Sequence, residues 1–400
     1  MTQSLPILIS GGGIGGLASA LGLAQKGYRS IVLEKAPVLG EIGAGIQLGP
    51  NAFHAFDYLG IGDEARAQAV YVDELRLMDA MSGDAITRIP LDDKFRTRFG
   101  NPYAVVHRGD LHGVLLRGCR ENDLIDLRTN SDVLSFVQDG TSVTVTLANG
   151  DKITGSALVG ADGLWSNLRQ QIVKDGAPRV TGHSTYRSVI PTENMPEELR
   201  WNAATLWAGP KCHIVHYPLS GWKVFNLVVT YHNYAPEPVA GKLVSKEEVY
   251  RGFEHIHELP RKIIENGVDW KLWVLCDREP VTNWTEGRVT LLGDAAHPTM
   301  QYMAQGACMA LEDAVRLSHE IDVAGGDFDK AFPAYQKARI DRTARIVVQS
   351  RMIGEHVYHP AGGHAHLRNA IMGAMSPDDY YRNLEWLYGN TGLSEETAIR

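Results

Sequence analysis

Short apolar runs alternate along much of this chain with segments whose apolar residues recur every three or four positions, a pattern that predicts strands followed by helices. Ile7 to Ile9 form a compact β-type run. Ser10, Gly11, Gly12, Gly13, Ile14, Gly15 and Gly16 lead from it into a helical pattern through Leu17, Leu21, Leu23 and Ala24. A second apolar run, Ile31 to Leu33, ends in Glu34, eighteen residues after Gly16. Further on, the run from Ala157 ends in Asp162 and Gly163, and Val289 to Leu292 ends in Gly293 and Asp294. Both place an aspartate at a strand's carboxyl end, where open α/β sheets bind ligands.

Residues 76–99 and 181–279, rich in Val, Tyr, Trp and Thr with repeated turns, predict a second sheet, and Pro236 to Gly241 read as a loop. From Phe328 onward Tyr335, Ile340, Ala344 and Val347 keep helical spacing. The fold class is therefore α/β. A discontinuous Rossmann-like domain takes 1–75, 100–180 and 280–330, a β-sheet domain is inserted at 76–99 and 181–279, and a helical region takes 331–400. The helical segment packs on the first domain or on a second subunit, in a homodimer.

The first segment is a βαβ dinucleotide fingerprint. Gly11 permits the tight turn, Gly13 lets backbone approach a pyrophosphate, and Gly16 lets helix and strand pack closely. The amides at the start of the helix, through Ile14 and Gly15, favour an anion. Glu34, with Lys35 beside it, stands where a carboxylate takes both hydroxyls of an adenosine ribose, so the ligand is FAD or NAD. Only one such glycine motif exists, so a second dinucleotide would bind transiently.

Composition narrows the class. Four hundred residues suit two domains, and 44% hydrophobic with 22% charged residues argue against disorder or coiled coil. With 47 acidic against 39 basic side chains the net charge is −8, which disfavours nucleic acid. The four cysteines have no paired spacing, so no metal site is expected and a reduced, cytoplasmic protein fits. No apolar stretch is long enough for a membrane span, and none reads as a signal peptide.

The three motifs, in this order and spacing, resemble the single-component (group A) FAD-dependent aromatic hydroxylases that are similar to 4-hydroxybenzoate hydroxylase, across nearly the whole chain. The resemblance implies bound FAD, NADH as a transient donor, O2, and a small aromatic acid as substrate. It puts Asp162 at the pyrophosphate and donor route, Asp294 on the ribityl chain, and Arg108, shortly before Asp110 and Leu111, on FAD. It also places the helix that follows Gln305, through Gly306 and Ala307, beneath the flavin ring, where its dipole would stabilise the reduced, anionic form.

One position departs from that family. Most relatives carry proline where this chain has Gln301, whose amide brings a donor and an acceptor. In the CHIVHY run, period-two alternation puts His213, Val215 and Tyr217 on one face and Cys212, Ile214 and His216 on the other. His213, Tyr217 and Gln301, with Asp277 to Pro280 before the third motif, most resemble the subfamily that converts 3-hydroxybenzoate to 2,5-dihydroxybenzoate (gentisate) through a flavin C4a-hydroperoxide. That resemblance assigns His213 and Gln301 to the substrate phenol and Tyr217 to the pocket. His213 is expected to act as the base, with an ordinary pKa of ~6.5 close to working pH. Val215, Met300 and Met303 are expected to line the pocket. No residue is assigned to the substrate carboxylate; Arg187 reads equally well as a structural or a flavin-side residue. Alternatives are salicylate 1-hydroxylase, which shares the segment Gly43 to Ala52, other hydroxybenzoate or hydroxynicotinate hydroxylases, a flavin redox sensor, and a flavin-free NAD dehydrogenase.

Overall fold

A computed structural model describes residues 5–40, 44–389, 391 and 393. Gly43 and the chain's last seven residues lie outside these. Two sheets dominate. The first has strand order Thr285–Glu286, Val289–Leu291, Ala157–Gly160, Ile7–Ser10, Ser30–Leu33, Ile125–Arg128, parallel except at the first pair. Its central strands are buried on both faces, which is why they read as continuous apolar runs. Helices Ile14–Gln25 and Gly306–Val323 pack against each other beside it.

The second sheet has the order Ala240–Leu243, Lys271–Asp277, Arg179–Pro191, Val224–His232, Cys212–Leu219, Ala203–Gly209, Glu74–Asp79, Ala85–Pro90. One face packs on its own core, including Trp207, Ile214, Phe225 and Trp270. The other face looks toward the first sheet's carboxyl ends.

Two local expectations need correction. The 76–99 stretch does not stay extended: it ends in the helix Asp93–Phe99. Asp92 caps that helix by accepting from the Lys94 and Phe95 amides, Gly100 (φ +73°) stops it, and Phe95 and Phe99 bury one face. The Pro236–Gly241 loop gives way at Ala240 to a short strand, because the edge of Lys271–Asp277 offers free backbone groups for pairing.

The helix Phe328–Ile353 buries Phe328, Phe332 and Tyr335 in the core of the first sheet. Its Arg339 reaches the buried Glu312 and Asp313. A π-type turn, Gly354–Tyr358, then leads to the helices Gly362–Ala374 and Pro377–Leu384. No helix among the described residues is long and apolar enough to cross a membrane.

Candidate active site

The chain leaves the Ile7–Ser10 strand through Gly11, whose φ of +105° suits glycine. A Cβ there would meet the Ala161 carbonyl at 2.3 Å, and one on Gly16 would meet the Gly11 carbonyl at 1.9 Å. Gly16 therefore lines no cavity; it lets the helix sit on the turn. Glu34 fixes the same turn from the next strand, with Oε2 accepting from the Gly12 amide (2.7 Å) and Oε1 from the Ala36 amide (2.8 Å). Each oxygen keeps a lone pair for a ligand. His112 supports the turn from below, its Nε2 lying 2.8 Å from the Gly12 carbonyl oxygen. Sequence reading did not pick out His112, since nothing local marks it.

Gly11, Gly13, Glu34, Lys35 and Asp162 line a cavity of ≈ 220 Å³. Asp162 accepts from the Leu168 amide through Oδ2 (3.4 Å), while its Oδ1 is buried with no partner among the described residues. Burial raises its pKa despite those bonds. An orphaned carboxylate oxygen beside bare glycine backbone fits a polar ligand such as a dinucleotide.

That cavity adjoins a larger one of ≈ 340 Å³ across Gly13, Ala161 and Gly163. Ile14, Gly15, Arg108, Asp294, Gly306 and Ala307 line one side of it, and His213, Tyr217, Gln301 and Arg187 the other. The geometry is thus a long channel with an acidic, glycine-walled end and a wider end under the second sheet. The first-turn amides of Gly306–Val323 point at it, as a helix start requires. The loop carrying Asp294 is held by Asp313, whose Oδ2 accepts from the Gly293 amide (3.0 Å) and from His297 Nε2 (2.6 Å), while Arg339 Nε donates to Oδ1 (2.6 Å). Burial works against the Asp313 charge, but His297 and Arg339 hold its carboxyl down to about 2.

Cross-strand register explains the wide end. Thr185, Thr230 and His213 form one row across three neighbouring strands; Arg187, Val228 and Val215 form the next, and Asn226 and Tyr217 the one after. Their side chains share one face. Asn226 Oδ1 accepts from the Gly45 amide (2.7 Å), and bare Gly45 lets the Tyr217 ring lie against it: a Cβ would come within 2.5 Å of that ring. Met300 lines this cavity, but Met303 does not. It turns into an adjoining apolar cavity with Tyr302 and Tyr388, because the Gln301–Met303 helical turn points alternate residues apart.

Two expectations change in substance. Gln301 does not offer a free amide: Nε2 donates to Thr230 Oγ1 (3.1 Å) and Thr185 Oγ1 (3.3 Å), and Oε1 accepts from Arg187 Nη2 (3.2 Å). His213 does not keep an ordinary pKa. Burial, then His359 and His183, hold it well below the usual value, so the imidazole is neutral. Burial likewise pushes the Tyr217 phenol up, leaving it a donor.

Arg187 carries the clearest electrostatic signal. Burial lowers its pKa, but a guanidinium stays charged. It has no carboxylate partner among the described residues; its contacts are Gln301 and the face of Trp273, 5.8 Å away. A half-buried cation without an anion suits an anionic ligand.

The family model for the FAD binding domain matches residues 4–350. The chain is 56% identical over 385 residues to 3-hydroxybenzoate 6-hydroxylase 1 of Aquipseudomonas alcaligenes, covering 96% of this chain and 97% of that one. It is 52% identical to the 3-hydroxybenzoate 6-hydroxylase of Polaromonas naphthalenivorans (strain CJ2), over 96% of each chain. Among solved structures it is similar in fold to a salicylate hydroxylase substrate complex (TM-score 0.84, 21% identity, 100% of this chain and 99% of that one). It is equally similar to Klebsiella pneumoniae HpxO complexed with FAD and uric acid (TM-score 0.84, 23% identity, 98% of both). A glycine-walled channel, a single dinucleotide fingerprint and this match across most of the sequence lead to one conclusion: the chain belongs to the FAD binding domain family and is a FAD-dependent monooxygenase of the group A hydroxylases.

Proposed function

We propose that this protein hydroxylates 3-hydroxybenzoate at the carbon para to its phenol, giving 2,5-dihydroxybenzoate, with NADH as donor and O2 as oxidant. Glu34, Lys35 and the Gly11–Gly16 turn would hold the adenosine and pyrophosphate of FAD. Asp162, Asp294 and Arg108 would hold its middle, and the start of Gly306–Val323 its ring. When bound and reduced, FAD would supply the electrophilic oxygen, drawn from O2.

The chain's own residues do the rest. The observation that carries the reading is the pairing, on one sheet face, of a cation lacking an anion among the described residues (Arg187) with a neutral imidazole (His213), one row apart. 3-Hydroxybenzoate bears a carboxylate and a phenol on one ring. Arg187 takes the carboxylate in a charge-assisted pair, with Gln301 holding the guanidinium in place. His213 accepts the phenol proton at Nε2, since Nδ1 is engaged elsewhere. The resulting phenolate is far more nucleophilic and directs attack para, to carbon 6. Tyr217 donates to the substrate from the next row, and Val215 and Met300 help exclude water.

The relatives named 3-hydroxybenzoate 6-hydroxylase support this substrate. The test is anaerobic reduction of the FAD-loaded protein by NADH in the presence of 2-, 3- or 4-hydroxybenzoate. The 3-isomer is expected to accelerate reduction most; acceleration by another isomer alone, or by none, contradicts the reading.

A further inference from the structure

His213 belongs to the sheet, but its hydrogen-bond partner comes from the far end of the chain. After Phe328–Ile353 and the π-type turn, His359 is fixed by its amide to the Gly354 carbonyl (3.1 Å), while its own carbonyl accepts from the Lys211 amide (3.4 Å) beside the Cys212–Leu219 strand. The two imidazoles stack, with centroids 5.0 Å apart and planes at 29°, and His213 Nδ1 lies 2.8 Å from His359 Nε2. Tyr302 and Tyr358 press on the pair edge-on, His183 reaches the His359 ring from the Arg179–Pro191 strand, two places across the sheet, with His232 on the strand between, and Lys211 stands at the hairpin. Asp277 acts on His183 and Tyr302 from the strand beyond.

The two rings differ in what they touch. His213 is 1% exposed and lines the larger cavity. His359 is half-buried, keeps part of its surface accessible, lines neither that cavity nor the two beside it, and bonds through its carbonyl to exposed Lys211.

We propose that His359 is the outlet for the substrate's phenol proton, receiving it through His213 and delivering it to solvent. This rests on the reading of the cavity as a hydroxybenzoate site. The balance is simple. The phenol O–H breaks as an N–H forms at His213 Nε2; the His213 Nδ1–H breaks as one forms at His359 Nε2; and the His359 Nδ1 proton passes to water. Both imidazoles end neutral, as the opposite tautomers, and one proton has crossed from the cavity to bulk. The reverse passage reprotonates the product's phenol and resets the pair. Such a path also explains how a buried histidine that cannot store a proton still removes one: burial holds both rings below the ordinary range, His359 at about 3. His359 touches no substrate and acts only through His213.

The experiment mixes FAD-loaded enzyme with 3-hydroxybenzoate anaerobically in weakly buffered solution containing a pH indicator. Flavin absorbance reports binding and the indicator reports proton release. In the wild type the two signals are expected to run together. In His359→Gln the indicator should lag binding by about a hundredfold or more, the scale of a lost proton-transfer group, and added imidazole should restore it. His359→Phe keeps a stacked ring without nitrogen and fills the space imidazole would need, so it should show the same lag without rescue by imidazole. Wild-type enzyme that binds without releasing a proton overturns the outlet. So do variants whose binding and proton-release signals slow together, a His359→Gln lag that imidazole leaves unchanged, or an indicator that keeps the wild-type rate. Product analysis of the wild type separates the two readings: absence of 2,5-dihydroxybenzoate defeats the substrate assignment, whereas its presence with an unaltered indicator rate defeats only the outlet.

Discussion

Nη2 of Arg187 donates to Oε1 of Gln301 at 3.2 Å, tying the second sheet to the turn beside the cavity. Because Thr185 and Thr230 accept from the other end of the Gln301 amide, its carbonyl has one orientation, toward the guanidinium. Replacing Arg187 by Met should remove the carboxylate anchor while keeping much of the packing. A hydrogen bond to a charged group is worth about 1.5–3 kcal/mol, so the Kd for 3-hydroxybenzoate should rise roughly tenfold to a hundredfold. Resorcinol, which has the phenol without the carboxylate, should bind equally to both proteins. Flavin-absorbance titration checks this; equal losses for both ligands would rule out an anchoring role.

Glu34 holds two backbone amides of the dinucleotide turn. Glu34→Ala should loosen that turn and lose the ribose contact, weakening FAD by about tenfold or more. The FAD-to-protein ratio after gel filtration is the readout, and undiminished retention would place the ribose elsewhere.

Asp313 accepts from Gly293, His297 and Arg339 in a buried cluster. Asp313→Ala leaves Arg339 short of one counter-charge and frees the loop bearing Asp294. Breaking a buried pair costs about 3–5 kcal/mol, so calorimetry should show a clear fall in the unfolding temperature together with weaker FAD binding. A variant as stable as the parent would mean the cluster only fills space.

The buried histidines set an acid limit. The folded protein holds His183 at about 4, His216 at about 3 and His359 at about 3, and His213 well below its ordinary value; burial is the first cause in each. An unfolded chain protonates them near ~6.5. Between that pH and about 4 the unfolded state therefore binds more protons, and stability falls as pH falls. It should be fully present above pH ~6.5 and drop steeply toward pH ~4. A thermal midpoint that stays flat over that range would contradict buried, neutral imidazoles.

Much of the channel could be read locally. Gly11, Gly13 and Glu34 belong to one short βαβ unit, and Asp162 and Asp294 each end an apolar strand, so neighbours in sequence carry the signal. Alternation alone put His213 and Tyr217 on one face. The Asp93–Phe99 helix was missed inside a stretch read as sheet, although Asp92 as its cap and Gly100 as its stop are local marks of it. Long-range register was not. Arg187 meets Gln301 only because Arg179–Pro191 pairs with Val224–His232, and His359 meets His213 only because a π-type turn ends the long C-terminal helix. Likewise Asp313 looks like an ordinary helix residue until Arg339 and His297 surround it. Periodicity carries no information about such partners.

Incubation of the FAD-loaded protein with 3-hydroxybenzoate, NADH and isotopically heavy O2, followed by mass spectrometry of the products, bears on all of this at once. The expected result is 2,5-dihydroxybenzoate carrying one heavy oxygen, with NADH consumed in equal amount and little hydrogen peroxide. Catechol with carbon dioxide, or NADH oxidation that yields only peroxide, would contradict a cavity built to ionise a phenol at His213 while Arg187 holds the carboxylate.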